Sequence, residues 1–200
     1  HGWRSLVVTL VAIASCVASE WLYAKVTRTR NTVIDGSAMV TGMLLAMTLP
    51  ATVPYWLVVA GSARYTGAAY LAAEAAVRSG AGLVTAAVPA ALHSTMAVKL
   101  TEAMAYALPD QNALGQASLY NLLALCGNAT AVLVGPGLGR EEATAATVRD
   151  LASMQTLPMV FDADGINALM GHIDILSRMQ QTPVLTPHDG EFARLFGALP

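Results

Sequence analysis

Four short segments carry the residue types that chemistry needs: Gly61-Ser62, Gly135-Pro-Gly-Leu-Gly139, Asp162-Ala-Asp164 and Thr186-Pro-His188. Each closes an apolar run of strand length, namely Leu57–Ala60, Ala131–Val134, Pro158–Phe161 and Pro183–Thr186. In an open α/β sheet, ligands bind at the carboxyl ends of the strands. The four segments are therefore expected to line one crevice. In the glycine-rich turn, Gly135, Gly137 and Gly139 let a ligand approach the backbone, and the N–H groups at the following helix start can face a phosphate. The same turn also serves as a plain strand-to-helix connection. Asp162 and Asp164 alternate across a strand end, so one is expected to face the crevice and the other to face away. A carboxylate there orients a sugar hydroxyl or a hydrated magnesium ion, or, for Asp164, caps a helix. Asn167 lies one turn later and can both donate and accept hydrogen bonds. His188 is presented by Pro187 for contact with a ligand carbonyl or phosphate, or with nearby backbone. Glu191 stands at a helix start, where a negative charge is favoured. His1, His93 and His172 have no motif around them and are expected at the surface.

Those segments require a frame. Helical stretches are expected over 66–79, around 91–104 and over 141–155, with another beginning at 165–170. A further strand is expected over Leu83–Val88, and a looser segment runs to about 128. Strands alternating with helices give an α/β fold, with a mostly parallel sheet covered by helices on both faces.

Composition separates this region from the start of the chain. Hydrophobic residues make up 55% of the 200 and charged residues 12%, against about a quarter charged in ordinary soluble domains. Disorder is excluded for most of the chain. A net charge of −2 with a pI near 6.1 excludes the basic face of a nucleic-acid binder. Cys16 and Cys126 stand far apart with no CxxC spacing, which excludes a zinc site or disulfide framework. Residues 1–58 carry four basic and two acidic side chains (4 − 2 = +2), and 59–200 carry seven and eleven (7 − 11 = −4). With a mean hydropathy of +0.53, the first region reads as an α-helical, membrane-like hairpin. Leu6–Ala24 approaches the about twenty residues that span a bilayer. Lys25, Arg28 and Arg30 form a basic link expected on the cytoplasmic side. A second helix is expected from Ser37 to Leu49, ended by Pro50 and Pro54.

In that first region, Asp35-Gly-Ser-Ala-Met-Val-Thr-Gly-Met-Leu-Leu-Ala-Met-Thr-Leu-Pro50 and Val53-Pro-Tyr-Trp-Leu57 resemble the membrane D subunit of Rnf-type electron-transport complexes. The B subunit of sodium-translocating NADH:quinone oxidoreductases is similar. That family attaches flavin to a threonine in a Ser-Gly-Ala-Thr motif, which does not occur here. The resemblance implies an anchor rather than an electron carrier.

A second resemblance covers 59–200. Gly61-Ser62, Tyr65-Thr-Gly67-Ala-Ala69, Arg78-Ser-Gly-Ala-Gly-Leu-Val84, Gly135-Pro-Gly-Leu-Gly139, Phe161-Asp-Ala-Asp164 with Asn167, and Leu185-Thr-Pro-His188 with Gly190-Glu-Phe192 stand in order. They resemble the ADP/ATP-dependent NAD(P)H-hydrate dehydratases, whose fold is ribokinase-like. The resemblance implies repair of hydrated NADH or NADPH, (S)-NAD(P)HX, by dehydration driven by ADP or ATP with Mg²⁺. It places Ala69, Gly137, His188 and Asn167 on the hydrated cofactor, with Gly61, Ser62, Tyr65, Gly67, Gly135, Gly139, Asp162, Asp164 and Glu191 in support. The family's catalytic aspartate belongs to a Gly-Thr-Gly-Asp loop expected beyond Pro200, so no catalytic residue is assigned within the chain. The expected organisation is a membrane-like region over 1–58 joined, as in a chimera, to a C-terminally truncated dehydratase over 59–200. The latter is expected to be cytoplasmic, tethered to the inner or plasma membrane, and homo-oligomeric through its incomplete sheet. Two other readings stand beside it, a membrane-subunit fragment of an electron-transport complex and a small-molecule kinase of the same fold.

Overall fold

The structure is a computed structural model that describes residues 54–197 together with Leu10, Ala14, Val17, Ala18, Trp21 and Lys25. The chain divides into two units, His1–Val53 and Pro54–Pro200. In the first, the six described residues are helical, and the Lys25 ammonium sits 4.8 Å from the centre of the Trp21 ring. Among the described residues no helix is long and apolar enough to cross a membrane. The two expected spans, the basic link and Cys16 lie otherwise outside the described residues.

The second unit is built on six strands, β1 (Tyr55–Val59), β2 (Leu83–Pro89), β3 (Met104–Leu108), β4 (Ala131–Val134), β5 (Met159–Phe161) and β6 (Val184–Leu185). Their order is β3-β2-β1-β4-β5-β6, and all five pairings are parallel. Between them lie α1 (Thr66–Arg78), α2 (Ala90–Lys99), α3 (Leu119–Cys126), α4 (Glu142–Met154), α5 (Asp164–Asn167) and α6 (Asp174–Arg178), and α7 (Asp189–Phe196) follows β6.

β1 shows why the sheet is two-sided. Successive side chains of a strand point to opposite faces. Leu57 and Val59 enter one core with Val132, Val134, Val148 and Leu151. Val58 and Ala60 enter the other with Ala69, Ala73, Leu92 and Met96. Alanine at 69, 73 and 76 on one stripe of α1 lets that helix lie close on the sheet.

Three expectations change. The first strand, expected over Leu57–Ala60, runs two residues earlier, from Tyr55 to Val59. Met104–Leu108 is an edge strand, registered Thr85↔Met104 through Pro89↔Leu108, and the helix before it ends at Lys99. Sheet pairing overrides the helix preference of Met and Ala. Finally, covering is incomplete. On the α1 side, Leu133 of β4 and Val160 of β5 line an open groove of about 620 Å³ that reaches Asp162 and Thr186, and Val184 is 54% exposed. Tyr55 is also clamped to the start of β4: its N–H donates to Thr130 Oγ1 at 2.9 Å, and that hydroxyl donates to the Tyr55 carbonyl at 3.0 Å.

Candidate functional site

In the order 3-2-1-4-5-6, the chain leaves β1 toward β2 on one side and returns to pair β4 on the other. That reversal opens a crevice at the strand ends. Gly61-Ser62 ends β1 there and the glycine-rich turn ends β4. The two turns are laced together by Gly61 N–H to the Pro136 carbonyl (2.8 Å) and Gly135 N–H to the Val59 carbonyl (3.1 Å). Over them lies a cavity of about 840 Å³ lined by Ser62, Arg64, Tyr65, Ala68, Gly137, Gly139, Arg140, Glu141 and Asp164.

Two glycines are required by close approach. Gly137 has φ +68°, and a Cβ there would sit 2.8 Å from Ala68 Cβ and 2.9 Å from the Tyr65 carbonyl. Gly135 has φ +135°, and its Cβ would fall 1.8 Å from the Asp162 carbonyl oxygen. The β4 turn is thus packed backbone to backbone on the Asp162-Ala-Asp164 turn, where Ala163 takes φ +50°, a conformation L-residues rarely adopt.

Asp164 organises the cavity floor. Its Oδ2 accepts from Gly139 N–H at 3.0 Å. Its Oδ1 accepts from Arg140 Nε at 3.3 Å and from Asn167 Nδ2 at 3.2 Å. The helix-cap alternative is set aside, because the carboxylate bonds the glycine turn and α5 has no side-chain cap. Asp162 faces the other side: its Oδ1 accepts from Thr186 Oγ1 at 2.7 Å, in the groove beside α1. The two aspartates do diverge as their alternation requires.

Ser62 is the anomaly. It is only 5% exposed, it lines the cavity, and its Oγ is buried with no hydrogen-bond partner among the described residues. A buried hydroxyl without a partner costs about 1–3 kcal/mol, so Ser62 is a donor ready for a ligand.

The remaining expected site residues are distributed unevenly. Ala69 has no exposed surface and belongs to the core beneath α1, while its neighbour Ala68 lines the cavity. Gly67 is on the first turn of α1, and a Cβ there would meet open space. Asn167 and His172 line a second cavity, of about 380 Å³, which shares Gly139, Arg140 and Asp164 with the first. His188 caps α7: its Nδ1 accepts from Gly190 N–H (3.0 Å) and Glu191 N–H (3.4 Å), and Glu191 Oε2 accepts from His188 N–H (3.1 Å). This reciprocal box explains why Glu191 is buried. It also fixes the neutral ring as the Nε2–H tautomer, with the side chain 67% exposed. His188 lines neither cavity among the described residues. No group of three or more His, Cys, Asp or Glu able to hold a metal occurs among the described residues. Sequence reasoning missed Arg64, Ala68, Arg140 and Glu141. Arg140 and Glu141 directly follow the glycine turn, and that adjacency was the available signal.

A sequence profile described as NAD(P)H-hydrate dehydratase matches residues 56–200. The chain belongs to the NAD(P)H-hydrate dehydratase family. A second profile, the NQR2, RnfD, RnfE family, matches residues 1–69, so both resemblances seen in the sequence are present and they overlap across β1. Among relatives of the dehydratase region, a bifunctional NAD(P)H-hydrate repair enzyme Nnr of Salinibacter ruber is 48% identical over 145 residues, covering 70% of this chain and 27% of that protein. The Nnr of Moorella thermoacetica is 44% identical over 143 residues, with the same coverage. The chain thus spans about a quarter of the length of these relatives. A Bacillus subtilis structure described as ADP/ATP-dependent NAD(P)H-hydrate dehydratase, co-crystallized with ATP/Mg²⁺ and soaked with CoA, superposes with a TM-score of 0.54 at 25% identity. It covers 74% of this chain and 50% of that one. A ribokinase-like superfamily protein of Enterococcus faecalis gives a TM-score of 0.58 at 23% identity over 70% of this chain and 47% of that one, which supports the ribokinase-like fold of this dehydratase-family domain.

Proposed function

We propose that the domain beginning at Pro54 binds hydrated NADH or NADPH at the switch-point cavity, as part of an ADP- or ATP-dependent dehydration that restores the reduced cofactor. The observation that carries this reading is the buried Ser62 hydroxyl, without a partner among the described residues, at a cavity lined by Gly137 and Gly139 of a glycine turn and walled by Arg64 and Arg140. Such a lining suits a polar, phosphate-bearing molecule better than an apolar one.

In this reading the chain's own residues bind and orient. Gly137 admits the ligand to the backbone. Asp164 holds the Gly139 N–H and the Arg140 side chain in place, and Tyr65 supplies a flat wall. The nucleotide and its Mg²⁺ would enter as co-reactants, and the nucleotide would supply the phosphoryl group that turns the ring hydroxyl into a leaving group. The general base belongs to a Gly-Thr-Gly-Asp loop that these 200 residues do not contain. Membrane contact through the N-terminal region is part of the proposal, supported by the second profile match over 1–69 and tested by flotation of the whole chain with liposomes.

The decisive assay follows absorbance at 340 nm when NADHX is mixed with ADP or ATP and a longer protein that carries this domain through such a loop. Nucleotide-dependent recovery is expected. A folded protein that leaves NADHX unchanged, yet phosphorylates a small alcohol, would replace this reading with the kinase one.

A further inference from the structure

The second cavity, enclosed by α4, α5 and α7, is lined by three arginines and two carboxylates, Arg140, Arg149, Arg194, Glu142 and Asp164, with Asn167 among them. Two of the cations are neutralised. Arg140 pairs with Asp164 at 3.3 Å, and Arg149 pairs with Glu142 while also donating to the Ala168 carbonyl. Arg194 differs. Its Nε donates to the uncharged Asn167 Oδ1 at 3.3 Å, and among the described residues no carboxylate lies within 4.0 Å of it. Among the described residues the cavity therefore holds one uncompensated guanidinium, already oriented through Asn167. That amide is in turn fixed by its other end on Asp164.

We propose that this cavity is a phosphate subsite, with Arg194 as the residue that grips the phosphate. Resting on the dinucleotide reading above, the proposal adds where the charged part of that ligand goes. The two cavities share Gly139, Arg140 and Asp164, so a molecule longer than either runs from one to the other across this wall. With the nicotinamide end over the glycine turn, a phosphate of the same molecule falls on the Arg194 side. The planar fork of a guanidinium matches two phosphate oxygens.

The test is calorimetric titration of the 200-residue chain and its Arg194→Ala variant with NADP⁺, NAD⁺ and inorganic pyrophosphate, with thermal melts to confirm folding. Arg194 is exposed, so the variant is expected to melt with the parent. Arg194→Ala is expected to weaken NADP⁺ roughly tenfold or more, the value of a charge-assisted hydrogen bond, and Arg194→Lys by less. Equal weakening of NAD⁺ assigns the subsite to the diphosphate, and an unchanged NAD⁺ assigns it to the 2′-phosphate. Unchanged binding of both dinucleotides by the alanine variant overturns the subsite while leaving the dinucleotide reading intact. Arg194-dependent binding of pyrophosphate without any dinucleotide binding sustains the anion site and overturns the dinucleotide reading. No binding of any of the three overturns the subsite.

Discussion

Replacing Ser62 with alanine separates a binding role from a structural one. The Oγ is buried, lines the cavity and has no partner among the described residues. Removing it should therefore relieve a desolvation cost of about 1–3 kcal/mol, offset in part by the small void left behind. A net gain of about 1 kcal/mol is expected, which raises the melting temperature by about 2–4 °C for a domain of this size. The ligand should respond in the opposite direction. If the hydroxyl bonds the bound dinucleotide, its loss costs about 1 kcal/mol for a neutral partner and up to about 3 kcal/mol for a charged one, or about 5-fold to over 100-fold in affinity. Thermal melts with and without dinucleotide, together with a direct titration, read both effects on one preparation. A lower melting temperature with an unchanged dissociation constant would refute the argument, because it would mean that the hydroxyl is satisfied within the fold and idle toward the ligand.

Three other outcomes follow from the same geometry. Gly135→Ala, whose Cβ would fall 1.8 Å from the Asp162 carbonyl oxygen, is expected to lose more than about 3 kcal/mol or fail to fold, as seen by denaturant titration. Asp164→Ala removes the acceptor of Gly139 N–H, Arg140 and Asn167. Because the arginine is largely exposed, most of the expected loss of about 1–3 kcal/mol comes from the backbone and amide bonds, and chemical denaturation measures it. Burial pushes the Cys126 thiol up from 9.0 to about 11, so it should resist a thiol-specific reagent at pH 8 until the protein unfolds. The same shift predicts an alkaline slope. The unfolded thiol ionises first, so stability falls as pH rises from 9 toward 11, and Cys126→Ala should flatten that decline in melts across this range.

The strands that hold the site were readable because each ends in a turn that only certain residues permit. Gly61, Gly135 and Gly137 take left-handed backbone, and such positions announce themselves as glycine. β3 was not readable. Met-Ala-Tyr-Ala-Leu favours a helix locally, and only its parallel partner β2 makes it extended. His188 as a helix cap was also hidden, since histidine is not among the usual capping residues. The pattern His-x-x-Glu therefore looks like two separate functional candidates rather than one reciprocal box. The convergence of Arg140, Arg149 and Arg194 was beyond sequence reasoning altogether. They come from a turn and two helices, and packing alone brings them to one cavity.

The strand order also sets the course of assembly during translation. β1, β2 and β3 are consecutive in the chain and adjacent in the sheet, so each can add to the last as it emerges. β4 cannot, because it must return to the free side of β1. The clamp between Tyr55 and Thr130 joins residues 75 positions apart. At about 5–20 residues per second, a ribosome takes roughly 4–15 s to make that stretch. Throughout that interval the inner edge of β1 is an open strand that any other extended segment can occupy. Closing so long a loop is entropically slow relative to the local hairpin-free additions before it. Among the pairings of β1, β2, β3 and β4, the β1–β4 junction beneath the ligand cavity is therefore the last to be secured in a nascent chain.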